Sequence, residues 1–288
     1  AGQLAVEAAV TPSRRTAIAG GMALLAGAAA PARPTAATWI GYEGRLRDRL
    51  KDAGGGRFDE PAARELMTLT NAARREAGTA PLAWHEDLAE TARAHAADLA
   101  QRLYVEHVSP EGFDPTDRLG LLARRLLCTA SENIAYRRGA GRHEAPDLME
   151  QWRDSPPHWR NLLRDKHTHA GFGVARLRER TYAVGLYARP DGELAAAVPF
   201  RPSGPGPLLA AIQGLGEPYM GAWLDDQLRG GRRVPMAEPR PDANPGVYRL
   251  RIDRRVRDRT FESLFGPIFV WRHVGGVAPL ARGPGQMV

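Results

Sequence analysis

Residues 170–189 read AGFGVARLRERTYAVGLYAR. Phe172 and Val174 alternate with glycine and alanine, a turn falls at Arg178 to Arg180, and Tyr182, Val184 and Leu186 resume the alternation. A period of two on both sides of a short turn predicts a β-hairpin. Upstream the period is helical. Leu66, Leu69 and Ala73 recur on one face behind Pro61, with Asp59 or Glu60 as cap and Gly78 as stop. Leu88, Ala92, Ala96, Leu99 and Leu103 repeat every three or four residues, as in a helix with one face packed on a sheet. Helices alternating with short strands predict an α+β layered domain that closes near residue 190.

The interruptions of these periods expose polar residues. His107-Val108-Ser109-Pro110 breaks the helical pattern, so His107 is presented from a helix end or loop, where a side chain can face a cleft. Asp114-Pro115 starts a short helix, and SENIAY at 131–136 follows, centred on Glu132. A further helix carries Leu148, Met149 and Trp152 and stops at Ser155-Pro156-Pro157, because proline restricts the residue before it and has no backbone donor. His158 comes directly after that stop.

Six segments in order, LTNAARREAGTAPLAWHEDLAETARAHAADLA, HVS, SENIA, WRDSPPHWRNLL, GFGVA and TYAVGLYA, resemble the CAP (SCP) superfamily of cysteine-rich secretory, antigen-five and pathogenesis-related proteins, in its disulfide-free bacterial form. The resemblance implies a CAP domain over 59–190, folded as an α-β-α sandwich around an antiparallel sheet. It also implies a cleft lined by His107, Glu132 and His158. Ser155 stands where members with a full tetrad carry a second acid, which weakens a metal-dependent or proteolytic role. Ser109 and Ser155 join the ligand-binding set on this reading.

Two imidazoles and a carboxylate suit two kinds of chemistry. With His107 and His158 as metal ligands they resemble an open zinc site, so a divalent cation (Zn2+, or Mg2+ or Ca2+) is the cofactor they would admit. As acid and base they would serve a hydrolase of peptide or cell-wall substrates through His107, Glu132 and His158. No nucleophile-elbow sequence surrounds Ser131 or Ser155. The favoured reading is therefore a binding or interaction module for a small-molecule, lipid or cell-envelope ligand. His95 reads as a core or boundary histidine, and His167 and His169 as a solvated pair in a loop. Trp84, Trp152 and Trp159 read as packing residues.

The rest of the chain bounds these readings. Its 288 residues suffice for a sizeable core, and 43% hydrophobic with 25% charged residues is ordinary for a soluble globular protein. All but two of the 40 basic residues, Lys51 and Lys166, are arginines scattered along the chain, and no nucleic-acid-binding signature accompanies them. Cys128 is the only cysteine, which excludes an intramolecular disulfide, and it reads as a small buried residue. Ser13-Arg14-Arg15 before the apolar run 16–30 resembles a twin-arginine signal peptide spanning 1–37, which predicts an extracytoplasmic (periplasmic or secreted) protein without a transmembrane span when mature. Residues 38–58 and the Pro/Gly-rich 199–214 read as linkers. The stretch 215–288 reads as a β-rich region, either packed on the first domain or separate, whose arginines at 249, 251, 254, 255, 257 and 259 line a solvated strand face.

Overall fold

The hairpin is the centre of the molecule. Strand His169–Leu177 runs antiparallel to Arg180–Ala188, in register from His169 opposite Ala188 to Leu177 opposite Arg180. In the computed structural model described here, residues 33–139, 143–236 and 245–271 are described. They carry α1 (Ala36–Lys51), β1 (Arg57–Phe58), α2 (Glu60–Glu76), β2 (Ala83–Trp84), α3 (Glu86–Arg102), α4 (Pro115–Leu122), β3 (Leu126–Leu127) and β4 (Ala130–Arg138). There follow α5 (Ala145–Arg153), α6 (Pro156–Leu162), β5 (His169–Leu177), β6 (Arg180–Ala188), β7 (Gly192–Glu193) and α7 (Gly206–Ile212). The last elements are β8 (Tyr219–Asp226), β9 (Arg232–Val234), β10 (Gly246–Arg257) and β11 (Thr260–Trp271).

The main sheet has the order β1-β5-β6-β4, with β2 pairing in parallel to β5. Side-chain alternation sends its two faces to two different cores. Ile134, Ala175, Tyr182, Val184 and Leu186 join α3 in one buried cluster, while Ala135, Phe172, Val174, Ala183 and Tyr187 join α2 and α5 in another. The result is the expected α-β-α sandwich. Two glycines set the spacing of its first layer. A Cβ on Gly171 would lie 2.1 Å from the backbone nitrogen of Ala89, and one on Gly173 would lie 2.3 Å from that of Arg93. The GFGVA segment is thus glycine-rich because the backbone of α3 lies directly against β5.

Three expectations are corrected. Residues 38–58 are not a linker, because most of them form α1. Thr35 caps this helix in a reciprocal box with Thr38, and Trp39, Tyr42 and Leu46 are buried. The rings of Trp39 and Tyr42 lie 4.3 and 4.6 Å from Phe113. The 3-then-4 spacing of these residues carries the helix; the glycines at 54 and 55 only turn the chain afterwards. Residues 199–214 are not a free linker either, since α7 lies within them and buries Leu208 and Ala211.

The third correction concerns the arginine stripe. The sheet β11-β10-β8-β9 packs on the first domain through α1 and α4, where Val247, Ile268 and Val270 share a core with Leu46, Leu121 and Leu122. Buried Arg249 donates to Asp117 Oδ1 of α4 at 2.6 Å, Arg251 donates to Asp225 at 2.6 Å, and Arg254 pairs with Asp191 and Glu262. These three arginines join elements instead of facing solvent, whereas Arg257 and Arg259 are exposed as expected. Of the expected signal peptide 1–37, residues 1–32 lie outside the described residues, while Thr35 caps α1 and Ala36 and Ala37 begin it. Among the described residues no helix is long and apolar enough to cross a membrane.

Candidate functional site

Strand β4 lies at one edge of the main sheet, so its side chains can be reached from both helical layers. Glu132 points towards α3 and α4. Its Oε2 is 2.8 Å from His95 Nδ1 and its Oε1 is 2.9 Å from His107 Nδ1. Arg118 Nη2 lies 3.2 and 3.1 Å from these two oxygens. Glu132, His95 and Arg118 are buried, whereas the His107 side chain is 49% exposed.

This geometry follows from the local chain. Leu103 ends α3 in the left-handed conformation, φ 59°, and the loop beyond carries His107 outward. Ser109 closes that loop: its amide donates to Phe113 O at 2.9 Å, and its Oγ accepts from Phe113 N at 3.2 Å. Ser109 is thus a buried turn residue whose hydroxyl is engaged by its own loop. Arg118 Nη2 also donates to His107 O at 2.8 Å, so one buried cation fixes both the loop and the carboxylate. On the opposite layer Ser155 occupies the N-cap position of α6 without a side-chain cap bond, with prolines in the first turn. Asn133 Nδ2 then donates to His158 O at 2.9 Å. The His107 and His158 rings face one another edge to face, with centroids 6.3 Å apart.

The protonation states follow from this environment. Burial opposes ionisation of Glu132, but His95, Arg118 and the hydrogen bond from His107 outweigh it and hold the carboxyl well below the usual range. Burial, reinforced by Arg118, pushes His95 down, so it stays neutral. Burial and the neighbouring His107 push His158 down as well. An ionised carboxylate only accepts, so both Nδ1 atoms donate to it. With Nδ1 bonded to Glu132, Nε2 is the His107 nitrogen left for another partner.

A metal fits this set only partly. Both oxygens of Glu132 are occupied, which leaves His107 and His158 as ligands, with Glu132 orienting His107 from behind. Two imidazoles on one tetrahedral ion would place ring centroids about 5 Å apart, closer than is found here. Among the described residues no group of three or more His, Cys, Asp or Glu converges on a common point. Two ligands fall short of a zinc site.

Two residues of the cluster are not singled out by the sequence. His95 shares the apolar face of α3 with Leu88, Ala92 and Leu99, which locates it inward without revealing its partner. Arg118 is one arginine among dozens. Another pairing also differs from expectation. His167 is buried, with Nε2 3.2 Å from Ser131 Oγ and 3.3 Å from Asn161 Oδ1. Ser131 donates to Tyr187 O at 3.4 Å, so it accepts from His167. It lies on the other face of β4 from Glu132, out of line with a base at His107. Trp152 is fully buried, as expected, while Trp84 stacks under Arg64 at 3.7 Å.

Residues 67–187 match the family model for CAP, described as the cysteine-rich secretory protein family. The chain is 36% identical over 137 residues to the uncharacterized membrane protein YlbC of Bacillus subtilis, covering 47% of this chain and 38% of that one. It is 33% identical over 110 residues to the uncharacterized protein YkwD of the same organism, covering 38% of this chain and 41% of that one. Both matches span well under half of those relatives. Among solved structures, an extracellular protein containing an SCP domain from Bacillus anthracis aligns at 25% identity and TM-score 0.38, over 46% of this chain and 41% of that one.

Proposed function

From the match of residues 67–187 to the CAP family model, we propose that the chain is an extracytoplasmic binding module whose ligand sits between His107 and His158. The observation that carries this reading is the saturation of Glu132 by His95, His107 and Arg118. A carboxylate so fully engaged is a frame, and what it frames is one outward imidazole nitrogen able to accept a hydrogen bond. A polar ligand carrying a hydroxyl or amide donor, drawn from lipid headgroups or cell-wall material, complements that nitrogen. The arginine pair and apolar run at 13–30 support export.

The test is titration of the full chain with cell-wall glycans, muropeptides, lipid vesicles and divalent ions. Binding should weaken in His107→Ala and in His158→Ala while the thermal midpoint of His107→Ala stays near wild type. Binding that neither substitution alters would place the ligand elsewhere. A second reading, a hydrolase of peptide or cell-wall substrates, is favoured by one feature: a carboxylate behind an imidazole is the arrangement of a general base. It predicts turnover abolished by His107→Ala in a folded protein, and a fully active variant would end it.

A further inference from the structure

A second concavity lies on the far side of β4 from Glu132, and the proposed binding function makes no use of it. Its volume is 450 Å3, within the range of small-molecule sites. Arg164 and Lys166, from the segment between α6 and β5, and Arg189, from the end of β6, line its wall. Arg164 and Lys166 have no carboxylate partner among the described residues, and both are exposed. Arg189 lies 3.4 Å from Asp191, but that carboxylate is already held by Arg254 at 2.9 Å. Three cations therefore line one concavity: Arg189 shares Asp191 with Arg254, which also holds Glu262, while Arg164 and Lys166 flank the exposed Asp165 without an ion-pair contact to it.

Gathering like charges around a hollow is unfavourable unless an anion is drawn in, and a concave wall concentrates the field. The floor is polar and fixed. Ser131 Oγ and buried His167 are joined at 3.2 Å, and His167 is tied onward to Asn161. Burial, helped by Arg164 and Arg74, lowers the His167 pKa to about 4, so the floor adds no fourth charge. Arginine forks suit the paired oxygens of a phosphoryl group, and lysine adds a point charge.

The geometry points to a phosphoester-binding site in which Arg164, Lys166 and Arg189 hold the phosphate oxygens and the rest of the ligand fills the remaining volume. Phosphoryl chemistry reaches such a site as a free small phosphoester or as a lipid headgroup. Calorimetric titration of the full chain with glycerol 3-phosphate, and co-sedimentation with phosphatidylglycerol vesicles against phosphatidylcholine vesicles, separate these sources. Arg164→Ala or Arg189→Ala should each weaken binding about tenfold or more, and the triple variant with Lys166→Ala should abolish it. Arg75→Ala, an exposed arginine on α2, should leave it unchanged. Loss of glycerol 3-phosphate binding in the triple variant assigns a soluble ligand; vesicle binding alone, lost in the same variant, assigns a headgroup. Absence of binding to either probe, or equal binding by the triple variant, would overturn the site. Neither result depends on the His107–His158 cleft, since all substituted residues lie outside it.

Discussion

Arg118 sets one nitrogen between the two carboxylate oxygens of Glu132, at 3.1 and 3.2 Å, with both side chains closed to solvent. The pair is a foundation for the cleft more than a part of its surface. Removing one member of a buried ion pair costs about 3–5 kcal/mol, because the other charge is left unpaired in a poor solvent for it. Glu132→Ala should lose stability of that order in urea unfolding. A loss below about 1 kcal/mol would show that Arg118 finds solvation elsewhere.

Acid should weaken the fold in two stages. His95 and His167 are pushed down in the folded state, so each binds a proton more readily when unfolded, and their contribution is present above the ordinary histidine pKa and lost as pH falls. For His167 the window runs from 6.5 down to about 4, worth up to about 3 kcal/mol. Glu132, also depressed, adds its loss as pH falls through and below the carboxylate range. Stability measured from pH 7 to pH 4 should therefore decline in the wild type and decline less steeply in His167→Asn. Parallel slopes would remove His167 from the account.

Gly171→Ala and Gly173→Ala test the contact of α3 with β5. Each new methyl would enter space held by helix backbone, which cannot rotate aside as a side chain can. Overpacking of this kind costs about 1–3 kcal/mol or more. The measurement is the denaturation midpoint, with Gly204→Ala, where nothing lies within 4 Å, as the reference.

Arg249→Ala should loosen the C-terminal sheet from the first domain. Asp117 loses its 2.6 Å partner, and cleavage by a protease between the two parts should accelerate. The double variant Arg249→Met with Asp117→Leu should recover much of the loss, since well-packed apolar pairs replace buried ion pairs at little cost. Failure of the double variant to recover would trace the loss to the arginine's bond to Thr116 O at 3.3 Å or to the α4 cap, where Asp117 Oδ2 accepts from Asp114 N at 3.2 Å.

The sandwich was legible because its signals are periodic and local: alternation at 170–188, helical recurrence at 66–73 and 88–103, prolines at 156–157. His107, Glu132 and His158 came through resemblance, since 25 residues of separation carry no geometric information by themselves. The structure does bring them to one edge of the sheet. What stayed hidden was the identity of partners. His95 and Arg118 look like any inward histidine and any arginine until the fold sets Glu132 between them. Residues 38–50 were obscured by their charge: three buried side chains among arginines and acids make an amphipathic helix whose average is polar. Arg249 was obscured similarly, because an alternating arginine gives no sign of whether its face meets water or another element.

The cap on α1 would bear on any proteolytic removal of the residues before it. Thr35 and Thr38 bond reciprocally at the helix start, and Trp39 is anchored one residue later. Cutting after residue 37 would remove Thr35 and leave the new terminal ammonium within the first turn, where the helix dipole repels it. Cutting at or before residue 34 would leave the cap whole. Were the chain cut after residue 37, the product would carry a frayed first helix, whereas a cut at or before 34 would spare it.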